Sequence, residues 1–311
     1  MTSLTTRAAN QVFRLAVKSY RGSSTGFVRR FRLLARISGA RATVPPGVLR
    51  AAGTVAGVPG EWLVPHGARG TLLYLHGGAF VSGSPAMYRR FCAALAQRLS
   101  LRVFVPDYRL APEHPFPAAP DDASAVYEAL AAQLSRDEVL VVAGDSAGGN
   151  LALGVLQDAA QRGLRQASCA VLISPGLDMT ASGPSLQQNA RRDHMLSRHI
   201  IDHAIKTYMA DGDVRDPRAS PLFGQLAGLP PLLVTVSDSE CLRDDALRLV
   251  ASVRDVGGVA NLLSRPDAPH VWPVFINLLP EADEDLRHVT SWVAAELATA
   301  AAGQRVHHGV A

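Results

Sequence analysis

The chain has 311 residues, of which 48% are hydrophobic, 19% charged and 6% aromatic, and its formal net charge is +4. That apolar content excludes a disordered polymer, and the length suits one large α/β domain or two smaller ones that bury roughly three quarters of their unfolded surface. Cys92, Cys169 and Cys241 are too few and too scattered for a disulfide framework or a zinc knuckle, and with no secretory pattern and no apolar run near the roughly 18 residues of a membrane span, a cytoplasmic protein without stable membrane insertion is expected.

Charge is unevenly placed. Residues 1–50 hold nine Arg plus Lys18 and no Asp or Glu, a local +10, so the remainder, with 21 basic and 27 acidic residues, carries about −6. Within the basic segment Phe13, Val17 and Tyr20, then Phe27, Phe31 and Leu34, recur at helical spacing. Such a segment fits a basic helix on a membrane surface, an Arg-rich transit peptide, or a helical cap on an acidic body. No recognition motif accompanies the charge, so nucleic acid is not expected as a partner.

After Pro45-Pro46 the texture changes. Apolar runs at Trp62–Pro65, Leu72–Leu75, Val103–Val105, Val139–Ala143, Ala170–Ile173, Leu232–Val236 and Asn261–Ser264 read as strands. Between them lie helical patterns near 85–99, 119–134, 147–162 and 241–256, with a last one near 273–300 and a frayed tail after Gly303. Strands alternating with helices imply a mostly parallel sheet covered on both faces. From Pro175 to Pro231 no strand is expected, only a polar, His-rich helix from about Leu196 to Met209, in a segment of the kind that forms lids and substrate walls.

Gly144-Asp145-Ser146-Ala147-Gly148 stands between the run Val139–Ala143 and the helical Leu151-Ala152-Leu153. Strand, cramped glycine turn and helix in that order make a nucleophile elbow, which lifts a serine hydroxyl above the sheet beside a helix N-terminus. His76-Gly77-Gly78-Ala79-Phe80 follows the run Leu72–Leu75. A carbonyl attacked by serine becomes an oxyanion that needs preorganised N–H donors about 3 Å away, which assigns the amides of Gly77, Gly78 and Ala147 to that task. His76 is read as a support for its own loop.

His270, after the last strand and before the last helix, suits the Ser…acid…His order of hydrolases of this kind. His288, His307 and His308 lie in or beyond the final helix, and His199 and His203, one turn apart, lack a third metal ligand at usual spacing, so no metal site is assigned. For the acid, Asp178, Asp238, Glu240, Asp244, Asp245 and Asp267 are candidates, and strand geometry alone does not separate Asp238 from Glu240.

These residues resemble the hormone-sensitive-lipase-like carboxylesterases of the α/β-hydrolase superfamily. The resemblance runs from about Thr71 to Trp272 and rests on His76–Phe80, Asp107-Tyr-Arg-Leu-Ala-Pro-Glu-His114, Gly144–Gly148, Asp216-Pro-Arg-Ala-Ser-Pro221 and Leu242-Arg-Asp-Asp245. It implies an α/β-hydrolase fold, a mostly parallel eight-stranded sheet flanked by helices, with a catalytic domain over 46–179 and 216–311 and a helical cap over 1–45 and 180–215. Phe13, Val17, Phe27, Phe31 and Leu34 of that cap would then line the substrate pocket. It also implies that the acid is Glu240, 30 residues before His270, and that Tyr108–His114 braces the oxyanion loop. Ala79 stands where the family carries a third glycine.

The expected activity is hydrolysis of short- to medium-chain acyl esters through an acyl-enzyme, using Ser146, His270 and Glu240 and no cofactor. Lactones or carbamates are alternative substrates for the same triad, and a non-catalytic ligand receptor is the reading from another class. The resemblance also admits a homodimer.

Overall fold

The short Val/Leu runs become a single eight-stranded sheet in the computed structural model, which describes residues 2–40, 42–135 and 137–308. The strands are β1 (Val48–Val55), β2 (Val58–Pro65), β3 (Gly70–Leu75), β4 (Arg102–Pro106), β5 (Val139–Asp145), β6 (Cys169–Ile173), β7 (Leu232–Ser237) and β8 (Ala260–Arg265). Their spatial order is β1-β2-β4-β3-β5-β6-β7-β8. β1 pairs antiparallel with β2 and β2 with β4, and all other pairings are parallel.

The helices are α1 (Leu4–Phe13), α2 (Ser24–Ala40), α3 (Pro85–Leu99), α4 (Ala118–Gln133), α5 (Ala147–Gln161), α6 (Ser185–Gln188), α7 (Arg198–Met209), α8 (Arg243–Asp255) and α9 (Pro280–His308). Alternation along each strand decides which helix each face meets. Leu73, Leu75, Val142, Leu172 and Val234 pack with Val126 and Leu130 of α4, Leu151 and Leu156 of α5 and Leu249 of α8. Their neighbours Leu72, Tyr74, Val141, Val171 and Leu233 pack with Phe91 and Leu95 of α3 and Leu286 and Val289 of α9. Because β3, β5, β6 and β7 are covered on both faces, their sequences are continuously apolar rather than alternating.

Three expectations about elements need correction. β1 went unread because it is an edge strand of small residues, largely exposed, closed onto β2 by Ala56-Gly57. Both turn residues have positive φ, as a two-residue hairpin requires, but Ala-Gly lacks the usual Asn-Gly signature. The last helix begins at Pro280 rather than near 273, because Trp272–Val274 forms a short 3-10 turn that carries Pro273. Its backbone continues to His308, where a frayed tail after Gly303 was expected.

A π-helical turn at Arg14–Lys18 and α2 lie on α7, sharing a cluster of Val17, Phe27, Val28, Leu196, Ile200 and Ile201, while α1 packs through Ala9 and Phe13 against Leu279, Ala282 and Phe275. The first turn of α1 is tied to the start of α9: Glu281 accepts hydrogen bonds from the Ser3 amide at 2.6 Å and the Thr6 hydroxyl at 2.5 Å. None of the described helices is long and apolar enough to cross a membrane.

Candidate active site

The loops that leave β3, β5, β7 and β8 at their C-terminal ends converge on one rim, which is where open α/β sheets place their ligands. At the end of β5, Ser146 has φ 52° and ψ −118°, a conformation that non-glycine residues seldom adopt and that a tight elbow enforces. Its amide donates to the Ile173 carbonyl of β6 at 2.8 Å, and α5 starts at the next residue. The flanking glycines are required by close approach: a Cβ at Gly144 would lie 2.2 Å from the Gly148 oxygen, and one at Gly148 would lie 1.9 Å from the Leu75 oxygen.

Ser146 Oγ lies 2.9 Å from Nε2 of His270, and Nδ1 of His270 lies 2.6 Å from Oε2 of Glu240. Glu240 is fully buried, and its Oε1 accepts from the Ser174 hydroxyl at 2.8 Å and the Ser237 amide at 2.7 Å. Burial alone would lower the His270 pKa, but the charge of Glu240 and its hydrogen bond outweigh it and hold the imidazole above its ordinary range. The other carboxylates are engaged elsewhere. Asp238 is exposed and accepts from Ser264, Asp178 accepts from Thr180 and Ser182, and Asp244 accepts the Ser185 amide. Asp245 accepts the Leu177 amide, and Asp267 faces His194.

Three residues that hold Glu240 in place escaped sequence reasoning. Ser174 bridges, donating to Glu240 and accepting the Val271 amide next to His270. Its position directly after the β6 run, beside the strand that feeds the nucleophile, was the available signal. Asn189 donates to the carbonyls of Asp238 and Glu240, and Asp193 accepts the Cys241 amide, so the turn carrying the acid is held from the 180–215 segment. Nothing in the local sequence marks either residue.

The oxyanion loop corrects one assignment. The amide of Gly77 donates at 2.9 Å to Oδ1 of Asp145, so it is not free for a substrate. Asp145 also accepts the hydroxyls of Tyr74 and Tyr88, each at 2.8 Å, and burial pushes its carboxyl up to about 6 despite these donors. The amides of Gly78, Ala79 and Ala147 have no acceptor among the described residues, and these three residues line the cavity over Ser146. Ala79 and Phe80 both take positive φ, which turns the loop back after its second glycine. His76 supports the loop: its Nδ1 lies 2.8 Å from the Gly77 oxygen, its ring stacks on Tyr108 at 4.3 Å, and burial lowers its pKa to about 4. Tyr108 donates its hydroxyl to the His76 carbonyl at 2.6 Å.

A cavity of about 360 Å³ opens over Ser146 and His270. Phe13, Val17, Phe31 and Leu34 line it as expected, but Phe27 does not. Phe27 is fully buried between helices, with its ring 4.4 Å from Phe31 and 5.8 Å from His203. His199 and His203 stand with their Nε2 atoms 3.1 Å apart, and His203 Nδ1 meets the Ser24 hydroxyl at 2.9 Å, joining α7 to α2.

A family described as alpha/beta hydrolase fold matches residues 72–274. An acetyl-hydrolase of Streptomyces hygroscopicus is 38% identical over 239 residues, 76% of this chain and 79% of that protein. An ethyl acetate hydrolase of Pseudomonas putida is 33% identical over 226 residues, 70% and 71% of the two chains. Among solved structures, an esterase from the bacterial hormone-sensitive lipase family superposes with a TM-score of 0.87 at 32% identity, covering 96% of this chain and 99% of that one.

Proposed function

The chain belongs to the hormone-sensitive-lipase-like branch of the α/β-hydrolase family, and from that premise we propose that it hydrolyses short- to medium-chain carboxylic esters with Ser146 as nucleophile, His270 as base and Glu240 as the acid that orients it. The observation that carries this reading is the unbroken line of hydrogen-bonding distances, 2.9 Å from Ser146 to His270 and 2.6 Å from His270 to Glu240. Relatives with acetyl-hydrolase and ethyl acetate hydrolase activity support the reaction class.

In the proposed mechanism His270 Nε2 takes the Ser146 proton as Oγ attacks the ester carbonyl. Charge develops on the former carbonyl oxygen, which the amides of Gly78, Ala79 and Ala147 receive. The positive N-terminal end of α5 favours the same charge. His270 then passes its proton to the leaving alkoxide, and an acyl group remains on Ser146. Water enters, gives a proton to His270 as it attacks the acyl carbonyl, and the collapsing intermediate releases the acid while Ser146 recovers that proton. Glu240 stays ionised throughout and stabilises the imidazolium.

We assign α1, α2 and α7, within residues 1–45 and 180–215, as the cap that walls the pocket, and the remainder as the catalytic domain. The cavity volume sits at the low end of small-molecule sites, which supports modest acyl groups. Three buried free cysteines suit the reducing cytoplasm in which we place the protein. A p-nitrophenyl ester series of increasing acyl length tests the assignment, combined with a phosphonate that should label Ser146 stoichiometrically and abolish turnover. Tight ester binding without hydrolysis, or turnover untouched by complete labelling, would overturn it.

A further inference from the structure

The outer faces of α1 and α2 combine exposed apolar side chains with unpaired cations. Leu4, Val12, Leu15, Leu33 and Ile37 are each more than half exposed, and they are five of the nine large apolar side chains so exposed among the described residues. They fall on two helical stripes with Arg7, Arg29 and Arg36, which are exposed and have no carboxylate within ion-pair distance among the described residues. Residues 4, 7, 12 and 15 share one face of α1 and its continuation, and 29, 33, 36 and 37 share one face of α2.

These faces flank the mouth of the cavity. Val12 and Ser38 are both exposed and part of its lining, so the opening lies between the two stripes. We propose that this surface docks the enzyme on an anionic lipid layer, with Leu4, Leu15, Leu33 and Ile37 entering the headgroup region and Arg7, Arg29 and Arg36 meeting lipid phosphates. Charge complementarity selects this occupant. The segment from 1 to 50 is purely cationic while the rest of the chain is net negative, so an anionic layer attracts this face and repels the others. A second copy of the chain would set like-charged faces against each other, and a soluble polyanion offers nothing to the leucines. Docking in this pose presents the pocket to esters held in or adsorbed on the layer. It requires no membrane-crossing segment.

The test uses the full chain and vesicles of phosphatidylcholine alone or mixed with phosphatidylglycerol. Sedimentation should carry the protein down only with the anionic vesicles, and high salt should release it. Arg29→Glu with Arg36→Glu, and separately Leu33→Ser with Ile37→Ser, should each weaken partition by about tenfold or more. Both variants should keep wild-type melting temperatures and wild-type rates on a soluble p-nitrophenyl ester, since none of the four residues lines the cavity. Three results would overturn the proposal: no binding to anionic vesicles, equal binding to both vesicle types, or binding indifferent to the substitutions. A dimer in light scattering that these variants dissociate would instead make a second copy the occupant and overturn it too. Vesicle binding is read independently of turnover, so a failed esterase assay would leave this result standing.

Discussion

Asp145, the residue before Ser146, accepts the Gly77 amide on Oδ1, so one carboxylate couples the turn at Ser146 to the loop that follows β3. A Cβ at Gly77 would lie 2.3 Å from Oδ2 of Asp145, which leaves the loop no room to keep its place if the glycine is replaced. Gly77→Ala is therefore expected to lower kcat on the order of 10²-fold by displacing donors it does not itself provide. Asp145→Ala should do the same and also lower the melting temperature, because the Tyr74 and Tyr88 hydroxyls and the Gly77 amide lose their acceptor at about 1–3 kcal/mol each. Steady-state kinetics with thermal unfolding checks both variants, and a wild-type kcat in either would contradict the coupling.

That coupling shows where sequence reasoning stops. Strands β3 and β5–β7 were legible because burial on both faces leaves an uninterrupted apolar run, and Ser146 because its turn needs glycines at 144 and 148. Position in the alternation also led to His270. The direction of a single amide is another matter, since Gly77 and Gly78 are chemically identical in sequence and differ only in which neighbour each N–H meets. Ser174, Asn189 and Asp193 were hidden for a related reason: the partners through which they hold the Glu240 turn lie 48 to 97 positions away in the chain, and no local pattern records such contacts.

Glu240 and Asp238 lie two residues apart but in opposite environments, one buried against His270 and the other exposed toward Ser264. Glu240→Gln should lower kcat by on the order of 10³–10⁴, since a neutral amide no longer stabilises the imidazolium that forms during attack. Asp238→Asn should change it by less than about twofold, as an exposed hydrogen bond contributes little. Parallel kinetics on the two variants ranks them directly, and the reverse order would move the acid to Asp238.

In the proposed mechanism the His270–Glu240 pair sets the acid limb of the pH profile. Neutral His270 is the base of the proposed mechanism, and its pKa is held above the ordinary histidine range by Glu240, so kcat/KM should rise with pH through a midpoint above that range. Removing the charge in Glu240→Gln takes away the largest contribution that raises it, and the limb of the residual activity should move to lower pH even as the plateau falls. A pH–rate series on both proteins decides this. An unmoved limb would assign the titration to another group.

Arg32 on α2 makes four contacts with the catalytic core. Nε donates to the Val81 carbonyl at 2.9 Å, Nη2 donates to the Ala111 carbonyl at 3.0 Å, and both terminal nitrogens meet Glu113, with Nη1 at 2.7 Å from Oε1. Val81 follows the oxyanion loop and Ala111–Glu113 lies in the segment that braces it, so this guanidinium fixes α2, and with it the cavity residues Phe31 and Leu34, against the reacting centre. Its hydrogen bonds draw the Glu113 carboxyl down to about 2. That contribution is present above the ordinary carboxylate range and lost only as pH falls toward 2, so it is constant across assay conditions. Glu113 is half exposed and its ion pair is discounted accordingly, which leaves the two carbonyl contacts as the main loss, about 2 kcal/mol in all. Arg32→Ala should therefore lower the melting temperature by several degrees and raise KM severalfold with a smaller change in kcat, because the pocket wall loosens while the triad stays in place. Arg32→Lys keeps the charge but not the fork and should recover little of either. Limited proteolysis of residues 1–45 alongside kinetics checks this, and a variant with unchanged KM and unchanged cleavage would show that α2 is held by its apolar contacts alone.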